Sequence, residues 1–228
     1  MKVDIVFPNN NEEKLIETAE KLDWNGLCFA YRFQQNISLL EEKTEKLRQK
    51  TKLKLFIGAA ADSKDIQKAK NIFDLVIIKS TENDQQILEK SNPDLIFGME
   101  LTAKRDYSHF RQSGLNQVLC RLANKKNIIF AMPLSIILKS EDKPKILGRI
   151  MQNITLCRKF KANLAFCSFA ENPYEMKSSN DLMSLAIALG MEYHEAKDAL
   201  GFFGEKILSN KKKKSSEYLG EGIELSEQ

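Results

Sequence analysis

Histidine is nearly missing from this 228-residue chain, which has only His109 and His194. A metal-dependent hydrolase built on a β/α barrel needs imidazoles and carboxylates clustered round the barrel mouth. Two histidines cannot supply such a cluster, and the second lies in a helical stretch. The carboxylates expected at strand ends are also few: Asp62, Glu100 and Glu171. The ten glycines form no G-x-G-x-x-G turn, no Walker loop and no G-x-S-x-G elbow, so the common phosphate cradles and the hydrolase nucleophile are excluded. The cysteines Cys28, Cys120, Cys157 and Cys167 form no C-x-x-C pair. Each sits among apolar residues and reads as a buried, reduced thiol rather than a zinc ligand. No apolar run approaches the roughly 18 residues of a membrane span, and residues 1–7 lead directly into a strand rather than a signal sequence. The chain reads as cytoplasmic, with no membrane partner.

Positive charge is present but unevenly spread. The formal net charge is +4. Residues 1–100 carry 15 Lys/Arg against 17 Asp/Glu, residues 101–170 carry 13 against 3, and residues 171–228 carry 7 against 11. One contiguous third thus holds more than the whole positive balance, a pattern that points to a polyanionic partner.

Short apolar runs at residues 3–7, 26–31, 53–60, 73–78, 93–98, 128–132 and 164–169 read as strands. Helical patterns separate them at 10–22, 37–49, 63–71 (Ser63 as N-cap), 82–90, after Ser113, and at 145–160; two more follow at 181–189 and 194–200. Pro93 opens its strand and Pro133 closes another, edge positions that proline tolerates. Gly58 and Gly98 are read as strand glycines at close packing contacts. The strands are continuous apolar runs rather than alternating ones, the signature of parallel strands covered on both faces. Repeated β-α units predict a TIM-like α/β barrel with seven clear strands, incomplete or distorted; an open doubly wound sheet is the alternative. Residues 1–209 are read as one barrel domain and residues 210–228, which begin with a run of lysines, as a disordered charged tail.

In a barrel, function belongs at the C-terminal ends of the strands. There the sequence places Arg32, Lys79, Lys104, Arg105, His109 and Arg111, with Tyr31, Phe33, Tyr107 and Phe110 between them. Cations make charge-assisted contacts to phosphate and aromatics stack on unpaired bases. Taken singly, Arg32 could instead pair with a neighbouring acid, and Phe110 is expected to turn into the core. The cluster is the stronger signal, because Asp106 alone offsets Lys104, Arg105, His109 and Arg111. After it, Leu115, Val118, Leu119 and Leu122 fall on one apolar helical stripe, with Ser113 expected as N-cap and Lys125 and Lys126 in the last turn.

The run Lys104-Arg105-Asp106-Tyr107-Ser108-His109-Phe110-Arg111, continued by Ser113-Gly114-Leu115-Asn116-Gln117-Val118-Leu119-Cys120, resembles the hallmark segment of archaeal ribonuclease P protein component 3, the family of the thirty-kilodalton RNase P/MRP subunit. The Asp4 strand opening, the strand ending at Lys79, and Leu189-Gly190-Met191 before the helix at 195–200 are similar to it too, over residues 3–208. The resemblance implies a barrel related to the polymerase-and-histidinol-phosphatase superfamily without its metal ligands. It implies a non-catalytic, RNA-binding subunit of the endoribonuclease that removes the 5′ leader of precursor tRNA. Its implied partners are the RNase P RNA, a small α/β subunit (component 2, as a heterotetramer), the other protein subunits and, indirectly, precursor tRNA. Mg2+ would belong to the RNA catalytic centre, with no cofactor bound by the chain. The alternative is an independent metal-dependent barrel phosphoesterase.

Overall fold

The computed structural model describes residues 1–107 and 109–214. The elements in order are β1 (Val3–Val6), α1 (Glu12–Lys21), β2 (Gly26–Arg32), α2 (Ile37–Arg48), β3 (Lys54–Ala60), α3 (Ile66–Ile72), β4 (Leu75–Lys79), α4 (Asp84–Lys90) and β5 (Leu95–Phe97). A 3-10 turn (Met99–Leu101) follows, then α5 (Gln117–Lys126), β6 (Ile129–Pro133), α6 (Leu134–Lys139), α7 (Lys143–Phe160), β7 (Asn163–Cys167), α8 (Ser179–Ala188), α9 (Tyr193–Ala199) and α10 (Phe202–Lys214). Among the described residues the strands form one parallel sheet in sequential order, β1 to β7. Sequential order identifies a barrel, since a doubly wound sheet reverses direction at a switch point. The strands are buried along nearly their whole length, as expected for runs covered on both faces.

Among the described residues no eighth strand stands between β7 and β1, and the two edges meet directly. Val6 bridges Ala170 in parallel. The Phe7 N–H donates to the Ala170 carbonyl at 2.9 Å and the Phe169 N–H to the Ile5 carbonyl at 2.9 Å. Where the ladder is short, Asp4 substitutes for it. Its Oδ1 accepts the Ser168 N–H at 2.8 Å and the Ile5 N–H at 2.9 Å, and its Oδ2 accepts the Ser168 hydroxyl at 2.5 Å. A fully buried carboxylate is costly unless hydrogen-bonded. Burial still pushes the Asp4 carboxyl up to about 6, against the pull of its Ser168 and Ile5 bonds.

The bottom of the barrel is sealed by α10. Phe203 and Ile207 are buried there. Lys206 donates to the Asn127 carbonyl at 2.6 Å, Asn210 to the Asp74 carbonyl at 3.0 Å, and Lys214 to the Phe73 carbonyl at 2.6 Å. Lys211 lies 3.6 Å from Asp74 Oδ1 and over the Phe56 ring. The boundary expected at residue 209 therefore falls inside a helix. Lys211 and Lys214 of the lysine run belong to the polar face of this plug, because strand starts present carbonyls and carboxylates that ammonium groups satisfy. Residues 215–228 lie outside the described residues.

Two local expectations are corrected, and a third holds. The helix expected from Ser63 starts at Ile66, because residues 62–65 first close a turn, Asp65 N–H to Asp62 carbonyl at 2.9 Å. Gly98 lies beyond β5 at φ +81°, opening the 3-10 turn. Gly58 is a strand glycine, its missing Cβ facing Cys28 Sγ. Helix α6 shows no expectation in the sequence, being six residues long between Pro133 and a turn.

Candidate nucleic-acid interface

Residues 98–116 leave the end of β5, cross the rim and return into α5. They are held by one face of α7. Lys145 donates to the Lys104 carbonyl at 2.7 Å, Gln152 to the Arg111 carbonyl at 2.9 Å and Asn153 to the Ser113 carbonyl at 3.0 Å. Between them Arg149, 1% exposed, makes the central clamp. Its Nε and Nη2 reach Asp106 Oδ1 at 2.8 and 2.7 Å. Its Nη1 donates to the carbonyls of Glu100 at 2.7 Å and Ala103 at 2.8 Å. Positions 145, 149, 152 and 153 share one side of a helix by their spacing. Gly148 lies on the same side, where a Cβ would stand 2.6 Å from Arg111 Nε, so the Arg111 guanidinium rests on bare helix backbone.

Asp106 Oδ1 also accepts the Gln112 N–H at 2.9 Å, which closes the base of the loop from 106 to 112. Burial alone would raise this carboxyl. The Arg149 and Gln112 bonds and the charges of Arg149 and Lys145 outweigh it and hold Asp106 below the usual carboxylate range. The sequence expectation treated Asp106 only as an offsetting charge, and missed Arg149 altogether.

The return into α5 turns on Gly114, at φ +83°, where a Cβ would stand 2.0 Å from the Met99 carbonyl oxygen. This turn displaces the cap. Asn116, not Ser113, caps α5, accepting the Leu119 N–H at 2.9 Å, while Ser113 is buried. The expected stripe is shifted as well: Leu115, Leu119, Cys120 and Ala123 are buried, whereas Val118 is 40% exposed.

All six sequence-predicted cations are exposed: Arg32 and Lys79 at the ends of β2 and β4, and Lys104, Arg105, His109 and Arg111 on the loop, the last with its guanidinium lying along α7 at Gly148. Among the described residues none has an acid partner, so Arg32 does not form the ion pair considered for it. Lys79 lies beside the root of the loop, its Cγ 3.8 Å from where a Gly98 Cβ would stand. A cavity of about 550 Å³ between the β4–α4 and β5–α5 connections includes Thr81, Thr102, Lys104, Gln112 and Asn116 in its wall. Arg32 stands apart, two strand spacings or about 10 Å from Lys79 along the sheet. It lines a separate notch of about 680 Å³ with Asn9, Gln35 and Asn172. Phe110 is not in the core: it is 58% exposed, beside Tyr107 at 59%.

The barrel mouth, where catalytic groups of such folds converge, is filled by rings. Phe169, in the left-handed region at φ +47°, packs edge-on against Phe7 at 4.9 Å and Phe97 at 5.0 Å. Among the described residues no three His, Cys, Asp or Glu side chains gather to hold a metal ion. Glu100 is fully buried with no hydrogen-bond partner on either oxygen. Burial pushes its carboxyl up to about 7, opposed by the Arg149 charge. The four cysteines are free and buried, and no helix among the described residues is long and apolar enough to cross a membrane.

Comparison with known proteins places this architecture. The chain superposes on a chain of a cryo-EM structure of archaeal ribonuclease P with mature tRNA, TM-score 0.84, at 20% identity, covering 100% of this chain and 99% of that one. It superposes more loosely on histidinol phosphate phosphatase from Lactococcus lactis, TM-score 0.59 at 12% identity, covering 84% and 94%, so the two share the barrel fold. Ribonuclease P protein component 3 of Methanosarcina acetivorans is 33% identical over 119 residues, 51% of this chain and 49% of that protein. The match to the Methanosarcina mazei protein of the same name likewise spans about half of each chain, at 34% identity. The Methanothermobacter thermautotrophicus protein of that name is 25% identical over 211 residues, 86% of this chain and 83% of its own length. Residues 1–216 match the family model for RNase P subunit p30, and the chain belongs to that family.

Proposed function

We propose that this chain is a protein subunit of ribonuclease P, the RNA-based endoribonuclease that removes the 5′ leader from precursor tRNA. Its part is to grip the catalytic RNA with Lys104, Arg105, His109 and Arg111, aided by Lys79 beside them and Arg32 further along the rim. The observation that carries this is an exposed set of cations without acid partners among the described residues, on a loop fastened from beneath by α7. Unpaired cations on a fixed frame suit phosphate, which supplies the missing negative charge at little ordering cost. The phenyl rings in the mouth and the dispersed carboxylates favour a non-catalytic chain over a barrel phosphoesterase. In this reading Mg2+ belongs to the RNA. The small α/β component 2 is the direct protein partner, in a heterotetramer, with precursor tRNA engaged through the assembled enzyme. Free buried thiols suit the reducing cytoplasm.

The test is the Arg105→Ala/Arg111→Ala double variant in reconstituted enzyme at limiting magnesium. Activity is expected to fall while the thermal midpoint of the chain is kept. The slope of log K against log salt should drop by roughly 0.7–0.9 for each lost phosphate contact, on the scale known for DNA. Unchanged activity and slope would remove the loop from the RNA interface. Phosphoester hydrolysis by the protein alone, lost on replacing Asp62 or Glu100, would overturn the non-catalytic reading.

A further inference from the structure

The loop that carries the cations also carries two large rings that the fold leaves in solvent. Tyr107 and Phe110 are 59% and 58% exposed. Their centroids are 4.7 Å apart and their planes tilted by 33°. The Tyr107 N–H donates to the Phe110 carbonyl at 3.0 Å, which turns both side chains to one side of the loop. Immediately behind them Asp106 joins Gln112 and Arg149, so the pair stands on a fixed base. Each ring has one face against the other and an outer face open. Resting on this reading of the loop as an RNA contact, we propose that the Tyr107–Phe110 pair is a stacking platform for an unpaired nucleobase of RNA, which lies on an outer ring face and extends the two-ring stack to three.

Geometry selects the outer face. At 4.7 Å the rings are too close to admit a base between them without separating by a further ring thickness. Charge selects the occupant. Lys104, Arg105, His109 and Arg111 flank the pair, without acid partners among the described residues. An apolar protein surface laid on the rings would desolvate those cations without neutralising them. A nucleotide brings a π face for the rings and a phosphate for the cations together, as single-strand binding surfaces do. A paired base offers no free face except at a helix end, so the platform discriminates unpaired from duplex RNA, whereas the cations alone do not.

The full chain is titrated with fluorescently labelled oligoadenylate and with a blunt duplex RNA of equal phosphate number, at several salt concentrations. Tyr107→Ala/Phe110→Ala should weaken oligoadenylate binding about 5- to 150-fold, leave the salt slope unchanged and affect the duplex little. Phe110→Trp should bind as well as or better than the parent. Arg105→Ala/Arg111→Ala should weaken both RNAs and lower the slope. If the arginine variant weakens binding and the aromatic variant does not, the platform is refuted while the phosphate contacts stand. If the aromatic variant keeps its RNA affinity but lowers holoenzyme activity, the rings dock a protein and the proposal fails. If the full chain binds neither RNA, the platform falls with the reading beneath it. Both rings are exposed, so a melting curve separates these effects from misfolding.

Discussion

If the cationic loop grips RNA as proposed, Arg149→Met tests whether a buried residue beneath the loop governs that grip. Methionine keeps the buried stem of the arginine and removes its donors. Four short contacts are lost, two to Asp106 and one each to the carbonyls of Glu100 and Ala103. Breaking a buried ion pair from one side costs roughly 3–5 kcal/mol. Asp106 is 24% exposed at its side chain, so water recovers part of its solvation, whereas the Glu100 and Ala103 carbonyls lose a charged donor. A net cost of about 2–4 kcal/mol follows, concentrated in residues 100–113. Urea unfolding should report that loss. Amide exchange at Gln112, whose N–H bonds to Asp106, should accelerate ahead of exchange in the strands. RNA must then reorder the loop, and one to two kcal/mol of reordering lowers affinity roughly 5- to 30-fold. The salt slope should stay at its parental value, because the contacts in the complex are the same. Wild-type exchange at Gln112 together with wild-type affinity would show that the clamp does not organise the interface.

Other outcomes follow from the same structure. Gly114→Ala should destabilise by more than about 2 kcal/mol, since it strains a positive φ and drives a Cβ into the Met99 carbonyl; a thermal midpoint equal to the parent's would contradict this. Lys211→Ala/Lys214→Ala should lower the melting temperature and leave RNA affinity intact, and the reverse would place these lysines at the RNA interface instead of the barrel floor. Asp4 and Glu100 have folded pKa values raised to about 6 and about 7 by burial. The native state therefore binds more protons than the unfolded one between their ordinary values near 4 and these raised values. Stability should fall as pH rises from about 4 to 7, and Glu100→Gln, melted across that range, should flatten the dependence; an equal slope in the variant would refute the assignment. Asp106 has the opposite sign: its contribution is present above about pH 4 and is lost as pH falls through its depressed value, so Gln112 exchange should accelerate in acid.

The strands were legible because a parallel strand covered on both faces must be apolar throughout, a requirement written into each segment alone. The basic loop was legible because its composition is extreme. What escaped depended on a second segment. Asp4 reads as a polar interruption of an apolar strand until Ser168 is opposite it. Arg149 and Asn153 read as ordinary helix residues until the loop lies on them. Lys211 and Lys214 look solvated until strand starts with free carbonyls stand above them. Ser113 and Asn116 are equally good N-caps by type, and only the Gly114 turn decides between them. Phe110 was assigned inward on hydrophobicity, but it lies beyond the point where Asp106 closes the loop, out of reach of the core.

The seam between β1 and the segment after β7 also bears on how the chain is made. Val6 and Ala170 bridge residues far apart in the sequence, and α10 then seals the end where β1, β4 and β7 begin. Until β7 has been synthesised, β1 has an unpaired edge of apolar backbone, the kind of edge that recruits other chains. Closure is thus a late, long-range event, slow by its topology and exposed to aggregation while it waits. Fragments that stop short of residue 170 should collect in the insoluble fraction even though they contain most of the sheet and the entire cationic loop.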